Sequence, residues 1–178
     1  MCGIWGFNGK PEVAHLRAII KRADERGGHG FGFFGITKSN NHIYHVSHGR
    51  VDIDLLIGFA NKCDIGIGHS RLVTSGDMQI INSQPVLGDG IAVVHNGNIN
   101  DYIEIMNSLR YQPRTRLDSE ALIPMIKNNA TNINGAYLAI QYNRYDHKLI
   151  AYNRILPLKH QRHKETDYYC SKIWQVQY

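Results

Sequence analysis

Apolar positions along the chain recur with two periods, two and about 3.6, and the changes of period mark out the elements. Residues 3–7 predict a strand that begins at the very start of the chain. Residues 11–25 predict a helix, with Val13, Leu16, Ile20 and Ala23 at helical spacing, Pro11 suited to a first turn and Gly27-Gly28 ending it. Residues 31–37 and 42–47 predict a strand pair across the turn Lys38-Ser39-Asn40-Asn41. Asp52 suits the cap of a short helix running to Asn61. The run Ile65-Gly66-Ile67-Gly68-His69 predicts a strand whose glycines signal close backbone approach. Residues 70–90 predict a loop region, and the apolar run 91–95 a strand.

Beyond it, Asn100 or Asp101 suits the cap of a helix reaching Arg110. Asp118 suits the cap of another, reaching Lys127 and kinked at Pro124, since an interior proline costs about 3 kcal/mol. Residues 136–143 and 149–154 predict a second strand pair, and residues 167–170 a late strand. Helices and antiparallel strands in alternating blocks imply an α+β layered domain.

Length then bounds the domain count: 178 residues without repeats or linker-like runs predict one domain over residues 2–178, with an atypical tail after about 155. A chain of this size buries roughly 70% of its unfolded surface, so it needs no disulfide or metal to hold a core. The formal charge of +5 is modest and scattered. The densest basic stretch, residues 159–164, lacks the interleaved aromatics of a nucleic-acid groove and predicts a solvated loop, so no nucleic-acid partner is expected. Three cysteines, an odd and sparse set, fit a reducing compartment. The N-terminus lacks the basic and apolar regions of a signal peptide, and no run approaches the ~20 apolar residues of a membrane span. The expectation is a soluble, cytoplasmic protein without a membrane partner.

Candidate chemistry starts at Met1-Cys2-Gly3. Removal of Met1 leaves Cys2 with a free α-amine. A free thiol titrates near 8.5 and an α-amine near 7.7–8.0, so one residue can supply nucleophile and base close to neutral pH. Alone, a cysteine at position 2 is a small buried hydrophobe. Other segments add to it. Arg71, in Gly68-His69-Ser70-Arg71, can grip a carboxylate bidentately. Asp118, in Leu117-Asp118-Ser119-Glu120, supplies a negative charge for an ammonium. Asn96 offers a side-chain N–H and Gly97 an unobstructed backbone N–H at a strand end, the parts of an oxyanion hole. Carboxylate grip, ammonium partner and oxyanion donors are the three needs of a glutamine substrate. Taken singly, each has a plainer role: ion pair, hairpin turn, helix cap.

The motifs Cys2-Gly3-Ile4, Arg26-Gly27 with Gly30 and Gly32, Gly68-His69-Ser70-Arg71 with Thr74 and Gly76, His95-Asn96-Gly97-Asn98 and Asp118-Ser119-Glu120 stand in one order. In that order the chain resembles the class II glutamine amidotransferases, over residues 2 to about 154. It looks most like the glutaminase domains of amidophosphoribosyltransferase and glucosamine-6-phosphate synthase, and Gln84-Pro85 leans toward the former. The resemblance implies an N-terminal-nucleophile hydrolase fold: a four-layer αββα sandwich, two antiparallel sheets between helix layers. It also implies roles. Cys2 matches the nucleophile and, through its amine, the proton carrier; Asn96 and Gly97 match the oxyanion hole. Arg71 and Asp118 match the residues that hold the substrate's carboxylate and ammonium. Thr74 matches a pocket-lining residue and Arg26 a buried arginine near the nucleophile. Leu72 departs from a commonly aromatic position, and Ser75 from the histidine of the sugar-phosphate branch.

The implied activity is hydrolysis of L-glutamine to glutamate and ammonia, with a separate synthase or transferase subunit receiving the ammonia and no cofactor. Two alternatives stand beside it: hydrolysis of another γ-glutamyl amide, and a non-catalytic subunit that binds glutamine. The ten histidines do not suggest a metal. His45 points away from His42 and His48 on a strand, and His160, His163 and Cys170 lack a zinc spacing. Cys63 and Cys170 read as packing residues.

Overall fold

The odd positions of strand β1 (Gly3–Asn8), Trp5 and Phe7, enter one hydrophobic layer while Ile4 enters another. A strand with two buried faces needs cover on both, and the rest of the chain provides it. The computed structural model describes residues 2–25, 27–72, 83–130 and 132–176. Helix α1 (Val13–Asp24) lays His15, Leu16, Ile19, Ile20 and Ala23 on Trp5 and Phe7. It starts two residues later than the periodicity predicts. Glu12 is extended and gives its backbone N–H to the Tyr168 hydroxyl at 2.8 Å, so Pro11 lies outside the helix and Val13 is exposed.

Strands β2 (Gly30–Thr37) and β3 (His42–His48) form the expected hairpin. Helix α2 (Ile53–Ala60) begins at Asp52, whose carboxylate accepts from Leu55 N at 2.9 Å. Strand β4 (Cys63–Arg71) follows and pairs with both β2 and β1. Its glycines do serve close approach, but to rings rather than to backbone. A Cβ on Gly68 would stand 2.1 Å from the Trp5 indole, and one on Gly66 2.6 Å from the Phe7 ring. A register shift at Ile36/Thr37 brings Cys63 onto the helix-facing side although Ile65 and Ile67 face the other way.

Strands β5 (Val86–Gly88) and β6 (Ile91–Gly97) precede helix α3 (Tyr102–Ser108). A 3-10 turn, Asp118–Ala121, then leads into helix α4 (Leu122–Lys127). Pro124 causes no kink here, because it sits in the first turn of α4, where a missing N–H is tolerated. Neither Asp101 nor Asp118 makes a side-chain cap. Strands β7 (Gly135–Tyr142) and β8 (His147–Asn153) form the second hairpin.

Strand β9 (Lys159–His163) corrects the reading of residues 159–164 as a loop. It pairs with β10 (Thr166–Cys170), and β10 pairs with β1. Its solvent exposure hides it from hydrophobic patterning, while its N–H and C=O groups pair with β10 and make it the outermost strand of the sheet. The tail is therefore built into the sheet, with Tyr168, Cys170 and Trp174 in the core.

All pairing is antiparallel: six strands in the order β3-β2-β4-β1-β10-β9, and four in the order β5-β6-β7-β8. Ile4, Phe34, Ile36, Ile65 and Ile67 of the first sheet meet Ala92, Val94, Ala136, Leu138 and Ile140 of the second. Helices α1 and α2 cover the first sheet outside, and α3 and α4 the second. The αββα sandwich is as expected. Among the described residues no helix is long and apolar enough to cross a membrane.

Candidate active site

Strand directions decide which residues can meet. Asn40 Nδ2 in the β2–β3 turn donates to the carbonyls of Asn143 and Arg144 in the β7–β8 turn, at 3.4 and 3.1 Å. Those two turns therefore share one end of the sandwich. Cys2 before β1, Arg71 closing β4 and Gly97 closing β6 lie at the other end. Side-chain alternation adds the face. Cys2 is in step with Ile4, Arg71 with Ile65 and Ile67, and Asn96 with Val94, all of which point between the sheets. Gly3 pairs with Ser70, so Cys2 follows on opposite Arg71. The Cys2 Sγ lies 3.9 Å from the carbonyl oxygen of Leu72. Three residues far apart in sequence thus open on one mouth of the inter-sheet layer.

Cys2 is half-buried, whereas Cys63 and Cys170 are buried. Burial pushes the Cys63 thiol up to about 12, and the nearby Asp64 carboxylate adds to this. Its Sγ donates to Phe59 O, as the Cys170 Sγ does to Ile19 O. Both behave as packing residues, which leaves Cys2 as the accessible thiol.

Asn96 is 1% exposed, and its Nδ2 has no hydrogen-bond partner among the described residues. An orphan donor of this kind is rare in a folded interior. Gly97 has φ +150°, and a Cβ there would stand 2.7 Å from His95 Nε2, so glycine is required. Asp118 lies beside the end of β6: its Oδ2 accepts from Ile99 N at 2.7 Å and its Oδ1 from Ser119 N at 2.8 Å. An ionised carboxylate has about four lone-pair sites, so capacity for an ammonium remains. Arg26 and Thr74, and with Thr74 the Ser75 position, lie outside the described residues.

Residues quoted in the motifs without a role turn out to hold this end together. Gln84, in a cis Gln84–Pro85 peptide, crosses the inner face of β2 at Gly32, where a Cβ would stand 2.2 Å from its carbonyl oxygen. Its side chain accepts from His95 N at 2.5 Å and donates to Ser119 Oγ at 3.0 Å. Ser119 Oγ also lies 3.2 Å from His95 Nδ1. Glu120, fully buried, accepts from Arg114 N, Thr115 N, Thr115 Oγ1 and the Tyr111 hydroxyl, which fixes the loop leading to Asp118. Nothing local marks Gln84, Ser119 or Glu120 as buried; the available signal was only that Gln84 precedes a proline and that Ser119 and Glu120 directly follow Asp118.

His69 faces the same layer, 2% exposed, with neither ring nitrogen hydrogen-bonded among the described residues. Burial above all, then the Arg71 guanidinium and His95, push its imidazole down to about 3. Below its ordinary value of 6.5 the unfolded chain takes up a proton that the folded chain refuses. Stability is therefore complete above pH 6.5 and drains as pH falls toward 3. Denaturant titrations at about pH 7 and about pH 4 should differ by on the order of 3 kcal/mol from this residue. His69→Gln should shrink that difference even if it is less stable at both values. An equal difference removes His69 from the account.

No protein-family model matches the chain. Curated relatives do. The glutamine–fructose-6-phosphate aminotransferase of Bartonella quintana is 34% identical over 133 residues, 71% of this chain and 22% of that protein. The amidophosphoribosyltransferase of Lacticaseibacillus casei is 28% identical over 138 residues, 71% of this chain and 70% of that protein. The chain thus spans about a fifth of the aminotransferase's length. Among solved structures, the glutamine phosphoribosylpyrophosphate amidotransferase of B. subtilis superposes with TM-score 0.68 at 21% identity, covering 96% of this chain and 42% of that one. An allosteric regulatory enzyme of purine biosynthesis gives 0.69 at 22%, with the same coverage. These structures share the fold.

Proposed function

The chain belongs to the class II glutamine amidotransferases, and we propose on that footing that it hydrolyses L-glutamine to glutamate and ammonia through a thioester on Cys2. The Cys2 α-amine, free once Met1 is gone, takes the thiol proton, and sulfur attacks the side-chain carbonyl carbon. The resulting oxyanion accepts from Asn96 Nδ2 and Gly97 N. As the C–N bond breaks, the protonated amine gives its proton to the leaving ammonia. Water then adds to the γ-glutamyl thioester, and the C–S bond breaks to release glutamate and restore the thiol.

The observation that supports this most is the buried, unpartnered Asn96 Nδ2, turned between the sheets at the end where Cys2 and Arg71 stand side by side. Arg71 takes the substrate α-carboxylate and Asp118 its α-ammonium. Thr74 and Arg26 are assigned to the pocket wall and the neighbourhood of the nucleophile on likeness alone. Residues 2–178 act as one glutaminase domain. Ammonia set free in water protonates and stops being a nucleophile, so we assign it to an acceptor synthase or transferase that receives it directly.

Turnover of glutamine by the purified chain tests the reaction. Within it, Arg71→Ala and Asp118→Asn should each raise KM for glutamine about 10- to 100-fold, the loss of one charge-assisted bond of about 1.5–3 kcal/mol. The change of kcat should be smaller, because both contacts exist before the chemistry starts. An unchanged KM in both variants removes them from the pocket.

A further inference from the structure

At the other end of β1, residues from three distant segments converge. Glu12 stands just before α1, His15 in its first turn, and His163 at the end of β9. Glu12 Oε2 lies 3.8 Å from His15 Nδ1 and 3.4 Å from His163 Nε2, and one donor atom from each residue lies within 4.8 Å of the others. His15 is 1% exposed, yet its Nδ1 has no hydrogen-bond partner among the described residues. Its ring packs against the His163 ring, centroid at 4.3 Å, and the Tyr168 ring at 4.8 Å. The hairpin β9–β10 is fastened to the same spot by Glu12 N to the Tyr168 hydroxyl at 2.8 Å and Thr166 Oγ1 to Lys10 O at 2.6 Å.

We propose that Glu12, His15 and His163 form a binding site for a divalent transition metal, with zinc the best fit, that pins the β9–β10 hairpin to the start of α1. Two imidazoles and a carboxylate are a zinc donor set. Bonds of about 2.0–2.1 Å to a tetrahedral ion put neighbouring donors about 3.4 Å apart. Glu12 and His163 already stand at 3.4 Å and Glu12 and His15 at 3.8 Å, while the two imidazole nitrogens, within 4.8 Å of each other, must draw together by a turn of their rings. A buried imidazole nitrogen with no hydrogen bond is costly in the apo chain, and metal coordination satisfies it. Two features oppose a cation: Lys164 pairs with the other oxygen of Glu12, and the positive end of α1 is close. They set the affinity. The Lys164 contact engages Oε1 and leaves Oε2 facing the imidazoles. This site stands apart from glutamine chemistry: β1 separates it from Cys2 by roughly 20 Å, six residues of extended chain.

The test is titration of the full chain with Co2+, followed by its visible d–d bands, and with Zn2+ as competitor. A Cys2→Ala background keeps the accessible thiol from contributing. One saturating equivalent, weakened at least about tenfold by His163→Ala and by Glu12→Gln, is the expected result. His163→Ala on the otherwise unaltered chain should keep its glutamine turnover, so this test and that of the glutaminase reaction fail separately. Binding as tight in His163→Ala as in its parent overturns the proposal. If no binding is seen, Lys164→Ala, which frees Glu12, is titrated as well; saturable binding there that His163→Ala removes supports the site, and its absence there too overturns it.

Discussion

Cys2→Ala will fold as the parent does and hydrolyse no measurable glutamine. The only hydrogen bond that the Sγ makes among the described residues is a 3.9 Å contact to Leu72 O on a half-buried side chain, so its loss should cost less than about 1 kcal/mol. The chemistry has no such margin. Without sulfur there is no thioester, and removing a covalent nucleophile lowers kcat by about 10⁴- to 10⁶-fold. Circular dichroism and denaturant titration check the first half, and ammonia release the second. A companion variant with an extra residue kept before Cys2 should be as inactive, because an amide nitrogen cannot carry the proton. Turnover in either one would end the assignment of nucleophile and base to a single residue.

Asn96→Ala should lower kcat about 10²- to 10³-fold and leave KM nearly unchanged, since the oxyanion exists only after attack. Its effect on stability gives a second readout. Asn96 is 1% exposed with an unbonded Nδ2 among the described residues, and an unsatisfied buried donor costs folding about 1–3 kcal/mol. Removing it should therefore leave the melting temperature equal or higher. A residue kept for structure would behave the other way, losing stability while keeping kcat. That pattern would move the oxyanion donor elsewhere.

Much of this arrangement was legible in the residues. Short apolar runs at residues 3–7, 31–37 and 91–95 marked three of the central strands, and the 3.6 spacing of Leu16, Ile20 and Ala23 marked the buried face of α1. What failed shares one cause: distant contacts outweighed local preference. Pro11 suits a first turn, but the Tyr168 hydroxyl, 157 positions further on, captures the amide of Glu12 and delays α1. Asp118 suits a cap, but the amide of Ile99 claims its carboxylate. Strand β9 carries no buried stripe to announce it, because its pairing is made by backbone groups common to every sequence.

The candidate site divides in the same way. The residue types and their order were enough to nominate Cys2, Arg71, Asn96, Gly97 and Asp118, since between them they answer the separate chemical needs of glutamine hydrolysis, Asn96 and Gly97 sharing the oxyanion. Their convergence, the buried bridge made by Gln84 and Ser119, and the cluster of Glu12, His15 and His163 were not written in any local stretch. By itself the sequence determined where the buried strands and the apolar stripe of α1 run and which groups are available for chemistry, because those are properties of single residues and their spacing. Only the tertiary structure decided which ends meet, because two stacked antiparallel sheets bring strand termini together by direction and register, whatever their distance along the chain.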